Sequence, residues 1–473
     1  MDIRDRLNTL FTESQNKNCK PVKLVNFSGI SLDFSRNIIT KDILIKMRSL
    51  LTTTKFSQKR KELFTNKLVS NTESRKVSFV SYRNSSLYNK DIDNMAKLYL
   101  KFRNNNIKNP NGERITTIVH IGIGGSILGP KFLSEALEGF KDGHFNSHFV
   151  SSGDLDEVSD LVKKIDVKST LFIFVSKSFK SDETMRIKSF IDDYIKVNYP
   201  KSASHIYKYQ YIAVTANKTL CKKLNFLSQN IFALLETIPG RFSVASPVSL
   251  IIMFEIGIDK YRELIKGIQA MDRHFYKTKF ENNLPVTLAL VNIWNINFLS
   301  KYANIIVPYS FRLRSFSNYV QQIEMESNGK SIMNNKEMTL NFTSPVVFGY
   351  SGTECQHSFF QAVHQGTVDV FLDFLYVKNL NTDSKKFLAA NVFAQADLLF
   401  KGKKTKYPHK DLIGCSPSCL VGIDKLSPDR IGKLMSLYEH KVFVEGTIWQ
   451  INSYDQWGVE EGKILAKKNL SKN

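Results

Sequence analysis

The sequence has few cysteines, no long apolar run and no low-complexity segment, and each absence excludes a class of protein. Its five cysteines are scattered without a CxxC pair. This argues against a disulfide framework and a zinc site, and favours a reducing cytoplasm. The opening MDIRDRLNTL lacks the apolar core of a signal peptide. The apolar stretch Ser249–Ile258 is short and contains Glu255, so no membrane span is predicted.

Acidic residues are also in deficit, since 66 Lys and Arg against 44 Asp and Glu give a net charge of +22. Such an excess is typical of nucleic-acid-binding proteins. Here the basic residues are spread along the chain without a dense block, so no nucleic-acid partner is predicted, only a mild benefit for anionic substrates. The 473 residues are enough for two or more domains with hydrophobic cores.

Strand and helix patterns alternate from residue 115 onward. Apolar runs predict strands at Ile115–Ile121, His148–Ser151, Thr170–Val175, Tyr211–Thr215, Asn230–Leu235, Ala303–Val307, Ser344–Phe348 and Val368–Leu372. Strands separated by helices indicate an α/β fold with doubly wound, mainly parallel sheets. We expect a helical segment at 1–105 that packs on the larger domain, a first domain at 106–270, a second at 271–440 and a helical segment at 441–473.

A glycine-rich turn follows the first predicted strand. Gly122-Ile123-Gly124-Gly125-Ser126 opens directly into an amphipathic helix, where free N–H groups favour an anion and Ser126 adds a hydroxyl donor. The alternative is a tight turn without a ligand. A P-loop is excluded because no Lys-Ser/Thr pair follows Gly125, and Ile127 replaces the third glycine of the dinucleotide-binding fingerprint.

A second hydroxyl-rich turn follows Thr170–Val175. Ser176, Lys177, Ser178 and Ser181 offer three hydroxyls and one ammonium before a helix, which are the groups that a phosphate monoester needs. The alternative is a serine-rich helix cap. Two such turns in one sheet favour a phosphate or phosphosugar site.

Glu326 is a candidate base and Arg241 a candidate cation for an oxyanion, but neither has a specific pattern when taken singly. Glu326 lies one turn beyond Gln322 on the predicted helix Phe316–Glu326, which would place a carboxylate near a carboxamide. The alternative is a surface charge. Arg241 follows a glycine and precedes an apolar helix, where it would serve an oxyanion or cap a neighbouring helix.

Two further candidates lie nearer the C-terminus. His357 follows a Gly-Thr turn and is a candidate acid or base, whereas His364, seven residues on, is predicted to be a packed polar residue. This spacing does not indicate a metal site. Lys463 would either reach a site or face solvent.

Together these motifs resemble the phosphoglucose isomerase family. The matching stretches, in the family's order, are IGIGGSILGP, FVSKSFKSDET, GRFSVAS, NLPVTLALVNIW, QQIEMESNGK, GTECQHSFFQAVHQGT and YEHKVFVEGTIWQINSYDQWGVEEGK. The resemblance implies two SIS-type αβα sandwiches and reversible isomerisation of glucose 6-phosphate and fructose 6-phosphate through an enediolate, a step of glycolysis and gluconeogenesis. It also implies a homodimer with its active site at the subunit interface and no metal or organic cofactor.

The resemblance further implies a role for each candidate. The residues around the substrate would be Ser126, Ser176, Lys177, Ser178 and Ser181 at the phosphate, with Gly125 and Gln322 close by. Glu326 would move a proton between C1 and C2, and Arg241 would stabilise the enediolate. Lys463, with His357 from the partner subunit, would open the sugar ring. We also predict that Glu183 orients His357 across the interface.

The sequence departs from the family pattern at Pro239-Gly240, where two glycines are usual, and at Gly414-Cys415-Ser416, which lacks an arginine. The alternative function is an SIS-type protein that binds a phosphosugar without turning it over. Such a protein would keep the hydroxyl-rich loop, Ser176–Ser181, but would not need the four catalytic candidates Glu326, His357, Lys463 and Arg241. Their joint presence favours the enzyme.

Overall fold

Two sheets of mainly parallel strands organise the chain in a computed structural model that describes residues 24–471. Cys19 and the part of the predicted N-terminal segment at 1–23 lie outside the described residues. Among the residues that are described, no helix has both the length and the apolar character needed to cross a bilayer.

The N-terminal segment begins with a hairpin. Its elements are β1 (Val25–Phe27), β2 (Ile30–Arg36), α1 (Lys41–Thr53), α2 (Phe56–Phe64), β3 (Val69–Ser70), β4 (Arg75–Lys76), α3 (Phe79–Arg83) and α4 (Ser86–Arg103). The prediction of a mostly helical segment is therefore wrong for β1 and β2. In β2, Ile30, Leu32 and Phe34 are buried and alternate with polar residues, which is the period of a strand.

The first sheet has five parallel strands in the order β6-β5-β7-β8-β9. Its strands and helices are β5 (Thr117–Gly122), α5 (Leu128–Ala136), β6 (Asn146–Val150), α6 (Asp156–Lys164), β7 (Thr170–Val175), α7 (Asp182–Asn198), α8 (Ala203–Tyr209), β8 (Tyr211–Thr215), α9 (Lys218–Lys223) and β9 (Ile231–Ala233). Every residue of β5, β7 and β8 is buried. Strands with such continuous apolar runs are typical of a sheet that helices cover on both faces.

The second sheet has the order β1-β2-β13-β12-β10-β11, and β2 and β13 pair antiparallel. The remaining elements are α10 (Leu250–Lys277), α11 (Leu284–Asn297), β10 (Ala303–Pro308), α12 (Phe316–Gln321), β11 (Val346–Phe348), α13 (Gly352–Gln356), α14 (Phe360–Gln365), β12 (Val370–Val377), α15 (Asp383–Lys401), β13 (Ser418–Ile423), α16 (Pro428–Ile448) and α17 (Glu460–Leu470). The α/β fold class with parallel sheets is confirmed, although β13 was not predicted.

Helices α10 and α16 pack against each other closely. A Cβ at Gly267 would lie 2.0 Å from the carbonyl oxygen of Asp429, and one at Gly432 would lie 2.2 Å from that of Leu264. The absence of side chains at these two positions therefore permits the contact. The domain boundaries at 270 and 440 stay predictions, and both positions fall within these two helices.

Candidate functional site

The glycine-rich turn and the loop that carries Arg241 meet beyond the carboxyl end of β5. A Cβ at Gly125 would lie 2.3 Å from the carbonyl carbon of Gly240 and 2.6 Å from the amide nitrogen of Arg241. The two backbones therefore touch, and only glycine fits at position 125. Gly124 has φ +56°, and a Cβ there would lie 3.0 Å from Nε2 of Gln322. The turn thus lies next to both Arg241 and Gln322.

The five N–H groups of the Arg241 guanidinium all face acceptors, and the residue is 2% exposed. Nε donates to Ser327 Oγ at 2.6 Å. Nη1 donates to Glu326 Oε1 at 3.0 Å and to Gln456 Oε1 at 3.3 Å. Nη2 donates to the carbonyl oxygens of Ser453 at 2.6 Å and Asp455 at 3.1 Å. Burial lowers the pKa of Arg241, and Glu326 opposes this shift. An arginine keeps its charge in such surroundings, so the structure places a fixed cation beside a carboxylate. The helix-cap alternative does not describe these contacts.

Glu326 ends a short π-helical turn. The turn, Gln322–Glu326, follows α12, so the predicted continuous α-helix is wrong in its last part. Gln322 Nε2 donates to Glu326 Oε2 at 2.8 Å, and Arg241 holds the other oxygen. The side chain of Glu326 remains 29% exposed. Each oxygen thus has one fixed donor while the carboxylate stays accessible, which does not fit a freely solvated surface charge.

A buried ion cluster, Glu324, Lys441 and Glu445, lies behind this turn. Lys441 Nζ lies 2.8 Å from Glu324 and 3.0 Å from Glu445, and all three side chains are fully buried. Burial disfavours ionised Glu324, but Lys441 and hydrogen bonds lower its pKa overall. Burial and the charge of Glu324 raise the pKa of Glu445. This cluster was not predicted from the sequence, although two charges four residues apart in the apolar helix α16 were a signal for it.

The hydroxyl-rich loop leaves the sheet beside the glycine-rich turn, because Gly122 and Val175 are paired in adjacent strands. Ser176 Oγ lies 3.2 Å from Ser181 Oγ and accepts from the amide of Phe179 at 3.1 Å. Ser178 Oγ accepts from the amide of Lys180 at 3.2 Å. The Ser181 side chain makes no capping bond to α7. The loop therefore presents hydroxyls and a helix start at one edge, close to the position of Ser126.

Lys177 connects the hydroxyl-rich loop to the segment that precedes Arg241. Its Nζ donates to the carbonyl oxygens of Glu236 (2.7 Å) and Ile238 (2.9 Å), which precede Gly240. Burial lowers the pKa of Lys177 to about 8. The ammonium thus ties the hydroxyl-rich loop to the loop of Arg241, and its contact with a phosphate stays a prediction.

Lys463 lies on α17, near the hydroxyl-rich loop. Its side chain is 60% exposed and pairs with Glu460 at 2.9 Å. One turn further, Lys467 pairs with Asp182 at 3.5 Å, next to Ser181. Residues four apart share a helix face, so Lys463 lies on the face of α17 that carries Lys467, and its contact with the substrate stays a prediction.

Within one chain, the described contacts do not join His357 to Arg241 or Glu326. His357 is exposed at the end of α13, which contacts β10 and α15 of the second sheet. Glu183 is also exposed and has no described contact with it, so the orienting role of Glu183 stays a prediction. His364 is packed as predicted, with Nε2 2.8 Å from Gln395 Oε1.

Comparisons with known proteins give one consistent result. The phosphoglucose isomerase family profile matches residues 33–473. A glucose-6-phosphate isomerase of Campylobacter jejuni subsp. doylei is 34% identical, with 99% of this chain and 92% of that protein covered. One from Wigglesworthia glossinidia brevipalpis is 37% identical, with 93% and 86% covered. The crystal structure of a glucose-6-phosphate isomerase from Chlamydia trachomatis superposes with a TM-score of 0.89 at 28% identity, covering 100% of this chain and 95% of that one.

Proposed function

The chain belongs to the phosphoglucose isomerase family, and we propose that the cleft around Arg241 and Glu326 is where it interconverts glucose 6-phosphate and fructose 6-phosphate. One observation carries this proposal: the buried Arg241 guanidinium lies 3.0 Å from Glu326 Oε1. A C–H group beside a carbonyl is a weak acid, so isomerisation needs a positioned carboxylate and a cation beside the enediolate oxygens. These two side chains supply both.

Glu326 takes the proton from C2 of the open-chain aldose and returns it to C1, and the reverse reaction uses the same base. Gln322 and Arg241 fix the two carboxylate oxygens, so little reorganisation accompanies the transfer. Because Arg241 cannot give up its own proton, it stabilises the enediolate charge without competing as an acid.

The substrate phosphate lies at the edge formed by Ser126 and the hydroxyl-rich loop, with Ser176, Ser178 and Ser181 as hydroxyl donors. The start of α7 adds the positive end of a helix dipole. Binding energy from a group remote from C1 and C2 holds the open chain in register with Glu326. Gly125 lets the loop of Arg241 approach the glycine-rich turn, which keeps the enediolate-stabilising cation close to the substrate.

Ring opening requires an acid and a base at O5 and O1. Lys463 supplies one group from α17, and His357 supplies the other from the partner subunit. A homodimer is proposed because His357 is exposed and has no described contact with Arg241 or Glu326 of its own chain. We also place the protein in the cytoplasm. The absence of disulfides at Cys221, Cys355, Cys415 and Cys419, the cysteines within the described residues, supports this location.

The alternative of a phosphosugar-binding protein without activity is not favoured. Relatives matched over nearly the whole chain are named glucose-6-phosphate isomerases. A binding protein would also have no need to hold a carboxylate against a buried guanidinium, since a sugar phosphate carries negative charge that this carboxylate repels.

The test is a coupled assay that converts fructose 6-phosphate to glucose 6-phosphate with wild type, Glu326→Gln and Glu337→Gln. Loss of a general base costs about 10²–10⁴ in kcat, and KM should change much less because the phosphate contacts remain. Glu337 is the matched control, an exposed carboxylate 11 residues further along the chain. Full activity in Glu326→Gln, or a wild type without turnover, would contradict the proposal.

A further inference from the structure

The second sheet repeats the strand arrangement of the first. The order β11-β10-β12-β13 corresponds to β6-β5-β7-β8, and all these neighbours pair parallel. β10 and β12 therefore take the places of β5 and β7, the strands that carry the glycine-rich and hydroxyl-rich turns. Ligands of such sheets bind beyond the carboxyl ends of the strands. The equivalent position in the second sheet lies beyond Pro308 and Val377.

A cavity of about 830 Å³ lies at that position. Its polar lining includes Ser310 beyond β10, Asn379 beyond β12, Ser384 and Lys385 in the first turn of α15, Lys425 beyond β13, and Arg312. Neither Arg241, Glu326 nor the hydroxyl-rich loop lines this cavity. It is therefore separate from the cleft described above. We call it the second-sheet cavity.

Positive charge in the second-sheet cavity is only partly neutralised. Two carboxylates, Glu135 and Glu138, also line it. Glu138 pairs with Lys141 (2.6 Å), and Glu135 pairs with Arg314 (3.3 Å) through Oε1, whereas its buried Oε2 has no hydrogen-bond partner among the described residues. Within the described residues, three lining cations form no ion pair: Arg312, Lys385 and Lys425. The start of α15, a helix of 19 residues, adds the positive end of its dipole.

Arg312 gives independent support for an anionic ligand. Its guanidinium lies flat against the backbone at Gly139, where a Cβ would be 3.5 Å from Cζ and from both Nη atoms. Its Nη1 is buried and has no hydrogen-bond partner among the described residues. A buried donor without an acceptor costs free energy, and an oxyanion in the cavity would remove that cost.

The other walls are apolar or aromatic and include Phe140, Phe311, Tyr376, Leu388 and Leu426. Phe311 is 70% exposed and stacks under the Arg314 guanidinium, 4.1 Å from the ring centroid. An inorganic anion would leave most of this space and these rings unused. We propose that the second-sheet cavity binds a small organic phosphate that carries an aromatic ring, of the class of a nucleoside monophosphate.

The test is isothermal titration of the full chain with AMP while fructose 6-phosphate saturates the first cleft. We expect binding of one AMP per chain that fructose 6-phosphate does not compete away, and much weaker binding of adenosine. Arg312→Gln and Lys385→Gln should each weaken AMP binding about tenfold, because each loses a charge-assisted hydrogen bond or ion pair to phosphate. Lys386→Gln is the matched control, since Lys386 is the next residue on α15 and does not line the cavity.

Four results would overturn the proposal: no heat at millimolar AMP, loss of AMP binding when fructose 6-phosphate is added, equal binding of adenosine, or unchanged affinity in both variants. The two test variants are independent, so an unfolded Arg312→Gln protein leaves Lys385→Gln to decide. Isomerase turnover in Lys385→Gln should equal that of Lys386→Gln. Failure of this site is thereby separate from failure of the isomerase assignment.

Discussion

His120 supports the glycine-rich turn from inside the first sheet. Its ring is fully buried in β5, and Nε2 lies 2.7 Å from the carbonyl oxygen of Ser126. A carbonyl oxygen only accepts, so this nitrogen carries the proton. Burial lowers the pKa of His120 to about 4, and the bond to Ser126 only partly opposes this. The neutral imidazole therefore holds the backbone of a predicted phosphate-binding residue.

The lowered pKa of His120 predicts a loss of stability in acid. Between the unfolded value of about 6.5 and the folded value of about 4, the unfolded chain binds more protons, so stability falls as pH falls through this window. Across the whole window, the shifted pKa of His120 lowers the free energy of unfolding by on the order of 3 kcal/mol. Thermal unfolding midpoints of wild type and His120→Asn from pH 7 to pH 4 check this. The variant should show a shallower decline, and an identical decline would contradict the expectation.

Single residues show how far a sequence can specify a site. Ser126 and Ser176 were candidates because hydroxyls at strand and helix ends have recognisable chemistry. Glu326 has no specific pattern when taken singly, and the resemblance to the family implies its role; the roles of all three residues stay predictions. The acceptors of Arg241 were not found, because the carbonyls of Ser453 and Asp455 lie more than 200 positions away. Their approach depends on how the C-terminal segment packs, which local pattern does not encode.

At the scale of elements, the π-helical turn is the feature that places Glu326. π turns are rare, are costly in isolation and are frequent at functional sites. Here the ion cluster of Glu324, Lys441 and Glu445 anchors the turn to α16. Asn328 adds a second connection, since its Nδ2 donates to Glu324 at 3.0 Å and to the carbonyl oxygen of Val442 at 3.2 Å.

This anchor predicts that Lys441→Met is strongly destabilising. Removing the cation leaves two buried carboxyl groups without their partner, which costs about 3–5 kcal/mol of unfolding free energy. Chemical denaturation of the variant measures the loss. Lys260→Met is the control, since Lys260 forms an exposed pair with Glu263, and such pairs contribute about 0–1 kcal/mol. Equal losses in the two variants would show that the cluster is not an anchor.

The strands were predicted best where apolar residues are continuous. The expected bounds Thr170–Val175 and Tyr211–Thr215 are those of β7 and β8. The strand β13 was missed because Ser418–Ile423 contains Gly422 and follows a Ser-Pro turn, features that favour a loop locally. It is a strand because it lies between β12 and β2 in the sheet, which is a tertiary effect.

At the scale of the whole molecule, the proposed active site depends on two chains. Arg241, Glu326 and the hydroxyl-rich loop assemble within one chain, whereas His357 is exposed elsewhere on the same chain. In the homodimer proposed above, two-fold symmetry would bring each surface to its counterpart on the partner, and one interface would complete two sites.

This arrangement predicts complementation between two inactive variants. Glu326→Gln and His357→Ala homodimers should each be nearly inactive. When the two chains are mixed and reassembled, half of the dimers are mixed and one of their two sites is intact, which gives about a quarter of wild-type turnover. If His357 served its own chain, every site would carry one defect and mixing would restore nothing. Size-exclusion chromatography of the mixture confirms that dimers have formed.

The role of Glu326 as the base is tested by proton exchange in D₂O, followed by NMR at C2 of glucose 6-phosphate and C1 of fructose 6-phosphate. Transfer through a carboxylate base lets solvent deuterium enter the substrate. We expect deuterium incorporation by wild type and a fall of about 10²–10⁴ in the exchange rate of Glu326→Gln, parallel to its loss of turnover. Exchange that persists at the wild-type rate in Glu326→Gln would contradict the assignment of Glu326 as the base.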